Sequence, residues 1–284
     1  MKYSNRMGLR NMSRIPVVML GTGSPRPNIH RSQPAQALII GEETILIDCG
    51  DGTTTQLLKA GIPPESIKLL FFTHLHSDHT LGYGQFLLGG WGQGRSELTI
   101  IGPKGTKAFH ERLLDLYSDD IDYRCSLGRS ETGIRDVKVI EFDSPGELPI
   151  NPLPYKITTA RMVHNVPTYA LRFEIGNKII VISSDTAPNE EIIHLAQDAD
   201  ILIQNAALTK GRRSTALEKI WDQLQKEHCT PAEAGMIASR ARVKKLVLTH
   251  FLPESDPDIA YEESSAQFSG EIIVPEDLQV IPVD

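Results

Sequence analysis

The sequence predicts an α/β fold. Three observations carry that expectation. Short apolar runs of strand length recur along the chain, stretches with helical punctuation separate many of them, and several runs end on a histidine or an aspartate. With 284 residues, 40% of them hydrophobic, the chain can form about two average domains or one large α/β domain, and its core needs no disulfides.

The elements follow in order. Residues 1–14 are polar and read as a flexible tail, and residues 15–284 as a single domain. Ile15 to Leu20 is a buried strand stopped by Gly21-Thr-Gly-Ser-Pro25, which lacks the third glycine of a dinucleotide fingerprint. Strands follow at Ala37–Ile40 and Thr44–Asp48, then turn chemistry at Asp48-Cys-Gly-Asp-Gly52. Thr53–Ala60 reads as a helix stopped by Gly61, and Ile67–Thr73 as a strand running into His74-Leu-His-Ser-Asp-His79. Residues 82–94 hold six glycines around Trp91 and read as a flexible loop or broken helix. A strand at Leu98–Ile101 and a helix from Thr106 to about Tyr117 come next. Residues 119–135 give no clear pattern, and the proline-rich residues 143–154 read as loop. The second half repeats this grammar. Strands are expected at Lys156–Ala160, Thr168–Ile175, Lys178–Ile182, Ile201–Ile203 and Lys245–Thr249, and helices from near Asn189 and at Pro231–Ala241.

Composition narrows the function classes. A net charge of -7 argues against a broad grip on nucleic acid, though not against a local basic patch. Cys49, Cys125 and Cys229 are odd in number and form no CxxC pair, which argues against a disulfide framework or zinc ribbon and fits a reducing cytoplasm. No run approaches the ~20 apolar residues of a membrane span, and no signal-like apolar run follows the basic N-terminus.

The chemistry concentrates in His74, His76, Asp78 and His79. In extended chain His74 and His76 share a side, and a following helical turn swings Asp78 and His79 back toward the same space. Three imidazoles and a carboxylate suit zinc or another borderline metal. His164, Asp185 and His250 each follow or end a strand, where open α/β sheets gather their sites. Taken singly, each reads equally well as an ordinary turn or surface residue.

With these motifs the chain resembles the metallo-β-lactamase-fold hydrolases, and within them the ribonuclease Z-like branch. The segments that carry the resemblance are LGTGSPRP at 20–27, LIDCGDGTTTQLLKAGI at 46–62, FFTHLHSDHTLG at 71–82 and HNVPTY from His164. ISSDTAP at 182–188, HCTPAEAG from His228 and LTHF at 248–251 complete them. The resemblance implies a four-layer αβ/βα sandwich with two metal ions between its sheets. His74, His76 and His164 would hold one ion, Asp78, His79 and His250 the other, and Asp185 would bridge them. The ions would be zinc, with manganese and iron as alternatives, and a metal-bridged hydroxide would be the nucleophile. Asp78 would also take or pass a proton, and catalytic His228 would help the leaving group depart.

The chain departs from the branch in two places. Where the branch has His-Glu-Ala-Thr, this sequence reads Gln204-Asn-Ala-Ala207, so Asn205 replaces the Glu that would orient and charge-pair the partner histidine. His228 should then be less basic, or do a different job. The long tRNA-clamping arm is also missing, because Tyr169 to Asp185 passes from strand to strand without an insertion. Both the missing arm and the acidic charge make tRNA a doubtful partner. The expected substrate is a small phosphodiester or related ester. Hydrolysis of a lactone, β-lactam or aryl sulfate, true 3′-tRNA endonuclease activity, a di-iron redox enzyme and a non-catalytic scaffold are the other readings. Trp91 and Arg95, in the glycine-rich segment, are candidates for a substrate-facing lid. Relatives of this kind are often homodimers.

Overall fold

The computed structural model describes residues 15–148, 150, 154–211 and 214–283. The tail expected over residues 1–14 lies outside them, as do Pro149 and Pro152 of the expected proline-rich loop.

The first half of the chain builds one sheet and its covering helices. Strands β1 (Ile15–Gly21), β2 (Ala35–Ile40) and β3 (Glu43–Ile47) lead into helix α1 (Thr53–Lys59) and strand β4 (Leu69–Phe71). The short helix α2 (Ser77–Thr80) and helix α3 (Tyr83–Gly92) precede strand β5 (Thr99–Pro103), helices α4 (Thr106–Leu116) and α5 (Ser118–Ser126), and strand β6 (Lys138–Phe142). The second half starts with β7 (Gly146–Glu147), β8 (Lys156–Arg161), β9 (Tyr169–Ile175) and β10 (Lys178–Ile182). Helix α6 (Glu190–Leu195), strand β11 (Ile201–Asn205), helices α7 (Thr215–Leu224) and α8 (Pro231–Arg240) and strand β12 (Lys245–Thr249) follow. Helix α9 (Pro257–Ser265) and strands β13 (Glu271–Ile273) and β14 (Val280–Val283) end the described chain. Among the described residues these strands form two seven-stranded sheets, ordered β14-β1-β2-β3-β4-β5-β6 and β13-β12-β11-β10-β9-β8-β7. The last strand, β14, crosses back to pair antiparallel with β1 in the first sheet.

Side-chain alternation explains why the sheets stack. Ile45, Ile47, Phe71, Ile180, Ile182, Ile203 and Val247 fill one core between the sheets. Their neighbours point the other way. Leu46 and Leu70 pack under α1 and α3, and Val181, Leu202, Leu246 and Leu248 pack with residues of α6 and α8. Strands apolar on both faces must be covered on both faces, so the order helix, sheet, sheet, helix follows from the pattern. The four-layer αβ/βα sandwich is therefore the observed fold.

Helix α3 corrects the expectation of a flexible loop or broken helix. Despite its glycines, residues 83–92 form a continuous helix. Glycine weakens a helix by about 1 kcal/mol per residue relative to alanine. Here Tyr83, Phe86, Leu87 and Trp91 are buried in the outer core and offset that cost. Gly90 leaves room for the Arg95 guanidinium, which a Cβ there would push aside.

Phe71 of the first sheet meets Phe173 of the second edge to face, with ring centroids 5.9 Å apart and both side chains fully buried. We expect Phe173→Ala to lower the free energy of unfolding by about 3–5 kcal/mol, the usual cost of emptying such a site. Urea denaturation followed by circular dichroism measures it. A loss below about 1 kcal/mol would show that the interface there repacks freely.

Candidate metal centre

The site lies where the parallel strands of both sheets end. His74 and His76 follow β4, and the turn into α2 carries Asp78 and His79. His164 lies just beyond β8, Asp185 beyond β10 and His250 immediately after β12. Each strand end is a sharp change of direction. Asp48, Ser184 and His250 take left-handed backbone with φ of 57°, 58° and 69°, which is uncommon for residues other than glycine. Two glycines allow the loops to close up. A Cβ on Gly50 would strike the Asp78 carbonyl oxygen, and one on Gly82 would strike that of Gly50.

The structure brings together all seven residues that the sequence singled out as ligands. They fall into two groups that share Asp185, namely His74, His76, His164 and Asp185, and Asp78, His79, Asp185 and His250. The Oδ2 atom of Asp185 is 3.1 Å from His250 Nε2, 3.5 Å from His79 Nε2, 3.8 Å from His74 Nε2 and 4.0 Å from His164 Nε2. Asp78 Oδ2 is 3.2 Å from His250 Nε2 and 3.6 Å from His79 Nε2. Nδ1 of His76 lies 3.1 Å from His164 Nε2.

Hydrogen-bond polarity shows which ring nitrogens face the centre as lone pairs. Nδ1 of His79 donates to Asp48 Oδ2 at 2.7 Å. The single hydroxyl proton of Thr73 goes to Asp48 Oδ2, so Thr73 Oγ1 accepts from His74 Nδ1 at 3.1 Å. His164 Nδ1 donates to the Glu227 carbonyl oxygen at 3.1 Å. With the proton of each neutral ring held on Nδ1, Nε2 is left bare, the arrangement that orients metal-binding histidines. Nε2 of His74 and Nε2 of His79 are buried with no hydrogen-bond partner. Two unpartnered buried nitrogens aimed at a carboxylate cluster fit a cation, as does the donor set itself.

The charge balance points the same way. Burial opposes ionisation of Asp185, but His250 and His79 outweigh it and hold the carboxyl well below the usual range. Burial likewise pushes His250 down, yet Asp185 and Asp78 raise it to about 9. His74, buried and crowded by His79, is driven well below the ordinary imidazole value. The two buried carboxylates thus require positive charge beside them.

Other residues brace the ligands. Asp48 accepts from Thr73 N at 2.8 Å as well as from the Thr73 hydroxyl and His79. Its place in the Asp48-Cys-Gly-Asp-Gly turn was visible in the sequence, but its partners were not. Glu227, with His164 and His228, forms a third group of potential ligands. Its carboxylate is engaged by Asn165 and Gln223, so it serves as a brace for the His164 loop. His228 reaches the site as well. Its ring stacks on His250 with centroids 5.2 Å apart, and its Nδ1 is 4.0 Å from Asp185 Oδ2. Burial lowers its pKa to about 3.

Trp91 and Arg95 do not form a lid. Both are buried in the first half of the fold. The indole of Trp91 donates to the Ser130 carbonyl, and Arg95 donates to the Phe86 and Leu87 carbonyls with its guanidinium over the Phe86 ring. A buried guanidinium needs acceptors, and carbonyls in the middle of α3 supply them.

Among known proteins, the family described as Beta-lactamase superfamily domain matches residues 43–251. A ribonuclease Z of Mycobacterium sp. (strain KMS) is 31% identical over 246 residues, which span 86% of this chain and 86% of that protein. The crystal structure of human tRNase Z, short form, superposes with a TM-score of 0.72 at 26% identity, covering 95% of this chain and 99% of the other. The metallo-beta-lactamase fold protein YhfI from Bacillus subtilis gives a TM-score of 0.76 at 22% identity, with the same coverage.

Asp48 joins three buried donors, so its loss should be felt in stability. We expect Asp48→Ala to destabilise the metal-free protein by about 3–5 kcal/mol, the range for breaking a buried ion pair by removing one partner. Chemical denaturation of chelator-treated protein measures this. A near-neutral change would mean that water replaces the carboxylate.

Proposed function

This chain belongs to the beta-lactamase superfamily and, within it, to the ribonuclease Z family, and from that premise we propose that it hydrolyses a compact phosphodiester with two divalent metal ions. The observation that carries the reading is the sharing of Asp185 by two complete ligand groups. His74, His76 and His164 would hold one ion, Asp78, His79 and His250 the other, and Asp185 both. Imidazole-rich ligands with carboxylates favour zinc. Ions bound there would supply Lewis acidity and bring the proton loss of a water close to neutral pH.

The chain's own residues do the rest. Asp78 ends the paired-histidine motif with its Oδ2 at the centre, where it can accept the proton of the attacking water. His228 packs against His164 and His250 at the same space, which supports it as the side chain that would meet the departing oxygen. The sheet interior excludes water on one side, because β11 is buried along its length and β10 and β12 are buried over the ends that lead to the site.

A compact substrate is favoured by the join between β9 and β10, where residues 176–177 make a two-residue turn with no clamping arm. The acidic net charge agrees with it. Among the described residues, no helix is long and apolar enough to cross a membrane. The second reading is 3′ processing of precursor tRNA, favoured by ribonuclease Z relatives that align along most of both chains.

Elemental analysis of purified protein should approach two divalent ions per chain, and no uptake of added zinc would sink the two-metal reading. Asp78→Ala should keep the fold and lower turnover of bis(p-nitrophenyl) phosphate by about 10²-fold or more. Turnover of a chromogenic sulfate, lactone or β-lactam in place of the phosphodiester would overturn the substrate class. Labelled precursor tRNA should bind weakly, and tight, salt-sensitive binding with accurate 3′ cleavage would favour the second reading.

A further inference from the structure

Asn205 stands at the end of β11, fully inside the fold, and touches the site from behind. Its amide makes three contacts. Oδ1 accepts from the backbone N–H of Cys229 at 3.2 Å, and Nδ2 lies 3.0 Å from Asp185 Oδ1 and 3.1 Å from His228 Nδ1. Two of these contacts set the direction of the amide independently. A backbone N–H can only donate, so it must face Oδ1. An ionised carboxylate can only accept, so it must face Nδ2. Both demands give the same orientation, so the usual ambiguity between amide oxygen and nitrogen does not arise.

The third contact then has a fixed sense. One Nδ2 proton goes to Asp185, and the other points at His228 Nδ1. A nitrogen that meets a donor must offer a lone pair. We infer that Asn205 is a positioning residue that holds His228 as the neutral Nε2–H tautomer, so that His228 offers the substrate a hydrogen-bond donor rather than a transferable imidazolium proton. A carboxylate at position 205 would have the opposite effect, because it accepts from Nδ1–H and supports the charged ring. The exchange of Glu for Asn, seen in the sequence only as a missing charge, thus reverses the polarity of the contact. Cys229 N–H links the arrangement to the residue after His228, so the amide fixes both the position of that backbone and the tautomer of its ring.

The ring's surroundings agree with a fixed donor. His228 is sandwiched against His250 and meets His164 edge-on at 5.2 Å, so it has little freedom to flip. Nε2 lies across the ring from Nδ1 and is turned away from Asn205. A neutral donor there stabilises charge that builds on an oxygen in the transition state, and needs no proton transfer of its own. This role in turnover rests on the phosphodiester reading above, but the tautomer does not.

The test is a long-range ¹⁵N–¹H correlation spectrum of histidine-labelled, zinc-loaded protein at neutral pH, with the His228 signals assigned by their loss in His228→Ala. The expected result is an unprotonated Nδ1 and a protonated Nε2. An Nδ1–H tautomer or an imidazolium would overturn the inference, and the wild-type spectrum alone decides this. In Asn205→Asp the proton should move to Nδ1 or both nitrogens should carry one, and an unchanged tautomer would show that the amide is not its cause. Where the proton moves to Nδ1 and leaves Nε2 bare, the same variant should lower kcat for the phosphodiester by about 10²-fold with KM little changed, as for removal of one oxyanion donor. An Nε2–H signal in a protein that cleaves no phosphodiester would defeat the proposed function and leave the tautomer standing.

Discussion

Everything at the site depends on one buried carboxylate. Asp185 is almost wholly inside the protein, and five imidazole rings put a nitrogen within 4.0 Å of its Oδ2 atom. An isolated carboxylate could not ionise there, since the desolvation cost of a buried charge is several kcal/mol. Positive charge must therefore be near, and His250 and His79 are the side chains beside it that hold its carboxyl ionised. Bound cations meet the need that the ring nitrogens and carboxylates together create. The outer hydrogen bonds, from Asp48, Thr73 and the Glu227 carbonyl, are what make the rings ligands rather than counter-ions.

The parts of this fold that were legible in the sequence are those whose physics is local. Strands such as Ile45–Ile47 and Ile180–Ile182 are apolar on both faces, and their runs stand out without any partner being known. The ligand cluster His74–His79 was legible because four donors lie in one short stretch at a strand end. Edge strands β6 and β13 were missed because half-exposed residues blur their alternation, and β14 because it is only four residues long and contains Pro282. Helices α7 and α9 were missed too, although Ser214 and Asp256 cap them in the standard way. Helix α3 was misjudged for a different reason. Six glycines argue for a loop by propensity, and only tertiary packing shows that a helix forms there, with Gly90 set against the Arg95 guanidinium.

Contacts between distant residues were out of reach. Trp91 and Arg95 looked like lid residues because an aromatic and a cation in a glycine-rich stretch are polar-tipped groups with no visible partner. Their partners, Ser130 and the carbonyls of α3, are supplied by packing. Asn205 and His228 are 23 positions apart, and the sequence could show that a Glu was absent but not what the amide does instead. A missing charge reads as a loss, whereas hydrogen-bond geometry shows a donor put in the place of an acceptor.

The two sheets and the site form as one object, and His250 shows why. It leaves β12 of the second sheet in a left-handed conformation, which costs of order 1–3 kcal/mol for a residue with a side chain. What holds it comes from the first sheet. The next residue, Phe251, donates its N–H to the Thr22 carbonyl at 2.9 Å, and its ring lies under the Arg31 guanidinium. Arg31 in turn bonds the Thr22 hydroxyl and the Pro275 carbonyl. Asp277, just before β14, accepts from Thr22 N, Thr22 Oγ1, Ser32 N and Gln56 Nε2, and so fastens the loop after β1 to the end of the chain. A ligand of the second sheet is therefore clamped by a loop of the first, which is itself clamped by the strand that returns from the second half to pair with β1. Neither half of the chain could position His250 alone, so the crossing of β14 to the opposite sheet is as much a part of the site as the histidines themselves.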